Sequence, residues 1–210
     1  MIQQRSMRTG ISLPAMALPY IAVLVGLFGL RSAWAALLLY NGGMLVVIAA
    51  RGVRCKAARF GLPGWVVACA IVVSAAAGPS IFFAADLVSS APWSDTLRAV
   101  GLSGASWRWF VVYFALVHPV VEETFWRGAL DERHGLLALQ DFAFGGYHAL
   151  VLSLFLRPLF VVISTLGLVA VAALWRAMRD RSSSLALPLV THAVADISII
   201  LSVSFVVGAH

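Results

Sequence analysis

Eight residues carry chemistry in segments that otherwise hold little but Leu, Val, Ala, Ile and Phe. One apolar stretch contains His118, Glu122, Glu123 and Arg127, a second contains Asp141 and His148, and a third contains His192 and Asp196. An ionised side chain at the centre of a bilayer costs about 2.5–3.5 kcal/mol on insertion scales. Three formal charges in one span must therefore face each other or a wet cavity. Acid and imidazole groups gathered there suit hydrolysis, which needs a base, a positioned water and a group that stabilises developing negative charge.

Helical spacing sorts the roles. Glu123 and Arg127 are four residues apart, so they share a face and can pair. Glu122 lies about 100° around the helix from Glu123, with His118 one turn before it. Pro119 is expected to kink the helix or free a carbonyl beside the acidic pair. His192 and Asp196 are again four apart, so the carboxylate can fix the tautomer of the imidazole. His148 comes from another span, preceded by Gly145 and Gly146, which permit close approach of a neighbouring helix. Asp141 is expected near the membrane interface.

The elements that must position these groups are membrane helices. Of 210 residues, 61% are apolar and 11% charged, against about 45–50% and 25% in soluble domains. Mean hydropathy is +0.94. This composition excludes a soluble enzyme, a disordered chain and a collagen-like chain. Seven apolar stretches, about 11–30, 33–50, 64–87, 110–130, 136–155, 158–178 and 185–207, can each cross the bilayer as a helix. The expected fold is an all-α polytopic bundle of about seven spans, a single membrane domain over 1–210, with 110–207 as its motif-bearing half. The first three spans add nothing specific. Ser89 to Trp109 reads as an interfacial loop, with Trp93 and Trp107 at headgroup depth.

The net charge of +6 reflects topology rather than nucleic-acid binding. Arg5, Arg8, Arg51, Arg54, Lys56, Arg59, Arg133, Arg176, Arg179 and Arg181 fall on the side of the N-terminus, against Arg31, Arg98, Arg108 and Arg157 opposite. The positive-inside rule then puts the N-terminus in the cytoplasm. Ala33-Trp34-Ala35 looks like a signal-peptidase site, but Arg31 interrupts its approach, so the first stretch is expected to remain as a span. Cys55 and Cys69 give neither a disulfide framework nor metal-ligand spacing.

Three motifs in this order, E-E-x-x-x-R at Glu122 to Arg127, F-x-x-x-H at Phe144 to His148 and H-x-x-x-D at His192 to Asp196, resemble those of the CPBP family of intramembrane proteases. That family includes the type II CAAX prenyl endopeptidases and bacteriocin-processing relatives. The resemblance covers about residues 110–205. It implies that Glu122 activates water, that His148 holds that water, and that His192 and position 196 stabilise the oxyanion. Glu123 and Arg127 would form the structural pair. Relatives carry Asn or Asp at position 196, and an ionised Asp cannot donate to an oxyanion. Asp196 is therefore expected to orient His192, which donates to the oxyanion, while a protonated Asp196 would donate directly.

The metal-free reading, with no cofactor, is preferred. Zinc held by Glu122, His148 and His192 is the alternative, although the H-E-x-x-H helix of zinc proteases is absent. The implied partners are the lipid bilayer and a membrane-anchored protein or peptide substrate, with no nucleic acid. A bacterial inner membrane is the expected location. Two other classes compete: a non-catalytic bacteriocin-immunity or scaffold protein, and a small proton-coupled transporter. The transporter is disfavoured by the lack of matching halves.

Overall fold

A computed structural model describes residues 12–53, 60–130 and 136–208. Among the described residues all regular structure is helical, apart from one antiparallel bridge between Ser89 and Leu156. The all-α expectation therefore holds. Arg5, Arg8, Arg54, Cys55, Lys56, Arg59 and Arg133 lie outside the described residues.

Helix α1 (Ser12–Val23) continues into a π-helical segment, Leu24–Gly29. The chain reverses at Arg31, whose φ is 49°, and enters α2 (Ala33–Ala50). The Ser32 hydroxyl caps α2 by accepting the Ala35 N–H at 3.2 Å. Next come α3 (Gly64–Ala75), α4 (Ala77–Val88), the short α5 (Trp93–Ala99) and α6 (Gly104–Leu116). After a break at Val117, α7 (His118–Glu123) starts with Pro119 in its first turn and passes into a second π-helical segment, Thr124–Ala129. Proline is tolerated there because the first N–H groups of a helix lack intrahelical partners. The chain ends with α8 (Leu139–Leu152), α9 (Pro158–Ser182) and α10 (Ala186–Gly208).

Among the described residues, four stretches are long and apolar enough to cross a membrane: Ala33–Ala50, Gly64–Val88, Pro158–Ser182 and Ala186–Gly208. A fifth arises if α5 and the helix Gly104–Ala129, bent by 93°, count as one broken span. Two of the seven expected stretches fall short by length. The apolar helix Leu13–Gly29 is under 18 residues, and α8 has 14, or about 21 Å at 1.5 Å per residue.

The apolar surface explains itself as a lipid face. Trp65, Val72, Val73 and Phe83 on α3 and α4 are all exposed, Phe83 to 85%, which water would not tolerate as a continuous face. Helix α10 runs through the middle, packed against α3, α4, α6, α7 and α9, while α8 lies between α1 and α9.

Two features of α8 place it accurately. A Cβ on Gly145 would sit 2.6 Å from Val169 Cγ2 and 3.0 Å from the Thr165 carbonyl, so only glycine allows α9 this close. At the N-terminus of α8, Asp141 accepts the Ala138 N–H at 2.9 Å and pairs with Arg176 Nη2 at 2.7 Å. Asp141 is 1% exposed, so it is a buried, paired cap of α8.

Other expectations also change. Arg176 and Arg179 are buried within α9, not in a loop. Ser89 to Trp109 is mostly helix: Trp93 is buried at the start of α5, and Trp107 stacks on Phe110 in α6.

Candidate active site

Helices α2, α7, α8 and α10 converge on Glu122, which is 0% exposed. Its two carboxylate oxygens have different surroundings. Oε1 accepts the hydroxyls of Tyr40 from α2 and Tyr147 from α8. Oε2 has no aligned hydrogen-bond donor, although the Nε2 atoms of His118 and His192 flank it at 3.3 and 3.2 Å.

His192 bridges the two consecutive carboxylates. Its Nδ1 lies 2.7 Å from Glu123 Oε1, while Nε2 faces Glu122. Carboxylates about 100° apart on one helix thus meet opposite nitrogens of a ring wedged from α10. The ring stacks on Trp175 at 4.3 Å. Glu123 Oε1 also accepts from Arg127 Nη1 at 2.8 Å, so the expected i,i+4 pair forms. The Arg127 guanidinium lies over Phe144 at 4.5 Å and Trp175 at 5.1 Å. Its carbonyl accepts from Arg179 Nη1 at 2.9 Å, and that of Ala129 from Arg51 Nη1 at 2.6 Å, so arginines from α9 and the end of α2 cap the helix end.

Asp196 differs from its expected place. Its Oδ2 lies 3.5 Å from His192 Nε2 and has no hydrogen-bond partner. Glu123, not Asp196, takes the imidazole N–H that fixes the ring. The residue reaching Nδ1 comes from across the interface because i,i+4 spacing leaves the Asp196 carboxylate on the Nε2 side.

His148 is set one hydroxyl away from Glu122. Its Nδ1 donates to the Phe144 carbonyl at 2.8 Å, and its Nε2 lies 3.1 Å from the Tyr147 hydroxyl. His118 extends the cluster in the other direction. Its Nδ1 is 3.2 Å from Asn41 Oδ1, and Asn41 Nδ2 donates to the Tyr113 hydroxyl at 3.2 Å.

Tyr40, Asn41 and Tyr147 are the site residues that sequence reasoning missed. The expectation that the first three spans add nothing specific is corrected by α2, which supplies two of them. A signal existed: Tyr40-Asn41 interrupts an otherwise apolar helix. Zinc ligation by Glu122, His148 and His192 requires those groups to converge. Among the described residues no group of three His, Cys, Asp or Glu side chains is arranged to hold a metal ion, and His148 Nε2 points to a phenol instead of Glu122.

Residues 104–198 match the family model for type II CAAX prenyl endopeptidase Rce1-like proteins. This segment resembles that family. It runs from the start of α6 into α10, and so contains all three motifs while leaving α2 outside. No curated protein and no solved structure matches the chain. The matched segment thus supplies both glutamates and the three clustered histidines, whereas Tyr40 and Asn41 reach it from the preceding part of the chain.

Proposed function

We propose that the chain is an intramembrane endopeptidase that cleaves a membrane-associated protein or peptide near its C-terminus or near the bilayer surface, with Glu122 as general base. The observation that carries this reading is the Oε2 atom of Glu122: buried, without an aligned donor, and flanked by two imidazoles inside an Rce1-like segment.

In this mechanism the substrate carbonyl lies beside His192. Water bonds to the carbonyl carbon as its proton moves to Glu122 Oε2. His192 Nε2–H donates to the oxyanion that forms. Because Nδ1 is held by Glu123, a ring donating from both nitrogens is cationic, and Glu122, Glu123 and Asp196 are its counter-charges. The tetrahedral intermediate then collapses, the C–N bond breaks, and the departing nitrogen takes the proton from Glu122. No metal is required for any step. His148 and Tyr147 border the water position from α8.

The family description points to prenylated CAAX C-termini as the first substrate class to try. A bacterial inner membrane, with the N-terminus in the cytoplasm, is the accompanying topology. Comparing membrane proteomes with and without the gene should reveal a protein with a trimmed C-terminus. Complementation by the Glu122→Gln variant, inserted at normal levels, should fail to restore trimming. Full restoration would reject the reading in favour of a non-catalytic role.

A further inference from the structure

Two phenols compete for one oxygen of Glu122 while the other oxygen receives no aligned donor. A phenol carries one proton and a carboxylate oxygen offers two lone pairs. Tyr40 and Tyr147 together therefore fill Oε1 and fix the rotation of the carboxylate. The phenols are themselves held. Tyr147 lies parallel to Trp126, with ring centroids 6.1 Å apart and 4° between planes, and the Trp126 Nε1–H lies 3.4 Å from the Tyr40 hydroxyl oxygen. Both tyrosines are buried. Tyr147 fills one of the unspecified positions of F-x-x-x-H, and Tyr40 lies outside all three motifs and outside the matched segment.

We propose that Tyr40 and Tyr147 are positioning residues: they lock the Glu122 carboxylate by occupying Oε1, which leaves Oε2 as the oxygen that takes the proton of the attacking water. The inference rests on the endopeptidase reading for the reaction, but not for the hydrogen bonds. The proton moves from water to Oε2 as the oxygen–carbon bond forms, and later from Oε2 to the departing nitrogen.

The test uses the full chain in detergent, with Tyr40→Phe, Tyr147→Phe, the double variant and Glu122→Gln. Phenylalanine keeps the ring packing and removes only the hydroxyl. In the first arm, infrared spectra identify the Glu122 carboxylate band by its loss in Glu122→Gln, and that band should shift in each Phe variant. In the second arm, a quenched-fluorescent peptide with a prenylated CAAX terminus is the probe. Each Phe variant should lower kcat about ten- to hundredfold, as expected for loss of a hydrogen bond to a charged group, and leave KM within about threefold. A purely structural role would change the melting temperature without moving the band. An unmoved band in both Phe variants, or wild-type kcat in both while Glu122→Gln is inactive, overturns the proposal. Cleavage by Glu122→Gln overturns the endopeptidase reading instead. If the wild-type chain leaves the probe intact, the infrared arm decides alone.

Discussion

Glu123 holds His192 through a 2.7 Å contact between Oε1 and Nδ1, and the same oxygen receives Arg127 at 2.8 Å. One carboxylate thus joins α10 to the π-helical segment after α7. Removing it leaves a guanidinium that is 2% exposed without that partner. Glu123→Ala should cost about 3–5 kcal/mol, read as loss of thermal stability in detergent. It should also lower turnover, because His192 loses the group that orients it. A variant that melts like the wild type would show that this contact does not hold the two helices.

Burial decides which ion pairs matter for stability. Asp141–Arg176 is nearly inaccessible, with side chains 1% and 5% exposed, whereas Asp95–Arg98 is 61% and 63% exposed. Asp141→Ala should lose about 3–5 kcal/mol, since it removes the carboxylate that pairs with buried Arg176 and the cap of α8. Asp95→Ala should change stability by at most about 1 kcal/mol. Thermal unfolding of both variants in the same detergent checks the contrast. Equal effects would contradict the assignment of Asp141 to the interior.

Much of this arrangement is legible in the sequence because charge in an apolar segment has so few resting places. Glu122, Glu123, Arg127, His148 and His192 stand out by type, and the i,i+4 rule correctly pairs Glu123 with Arg127. The same rule brings Asp196 to 3.5 Å from His192, but the hydrogen bond that fixes the ring goes to Glu123, because the rule describes one helix and cannot see Glu123 arriving from another. Tyr40 and Tyr147 were hidden for a related reason. Tyrosine is an ordinary membrane residue, and only three-dimensional packing brings the two hydroxyls to one carboxylate. Helix length was less legible, because a helix can be shorter than the apolar stretch that contains it, as α8 is.

The α8–α9 contact makes a steric prediction. At Gly145 an added Cβ meets not only the Val169 side chain but the Thr165 backbone carbonyl at 3.0 Å, which cannot move aside like a side-chain tip. Gly145→Val should therefore destabilise the chain by about 1–3 kcal/mol through overpacking. The measurement is the shift in unfolding temperature. Gly167 on α9, where a Cβ would meet nothing within 4 Å, supplies the control: Gly167→Ala should be neutral or stabilising, since alanine is the better helix former.

Asp196 and His192 separate the two ways of stabilising an oxyanion. The Asp196 carboxylate lies 3.5 Å from His192 Nε2, farther than Glu123 is from Nδ1 or Glu122 is from Nε2. Its contact with the ring is thus the longest of the three and carries no hydrogen bond, so a neutral side chain of the same shape should be tolerated. Asparagine also adds an N–H that can donate where the carboxylate cannot. Asp196→Asn should therefore keep activity within about tenfold of the wild type, whereas His192→Ala should lose about a hundred- to thousandfold, the effect of removing one oxyanion donor. Turnover of the same prenylated peptide, or restored trimming in cells, compares the two. If Asp196→Asn is as damaging as His192→Ala, the negative charge at position 196 is essential and the ring depends on Asp196 more than on Glu123.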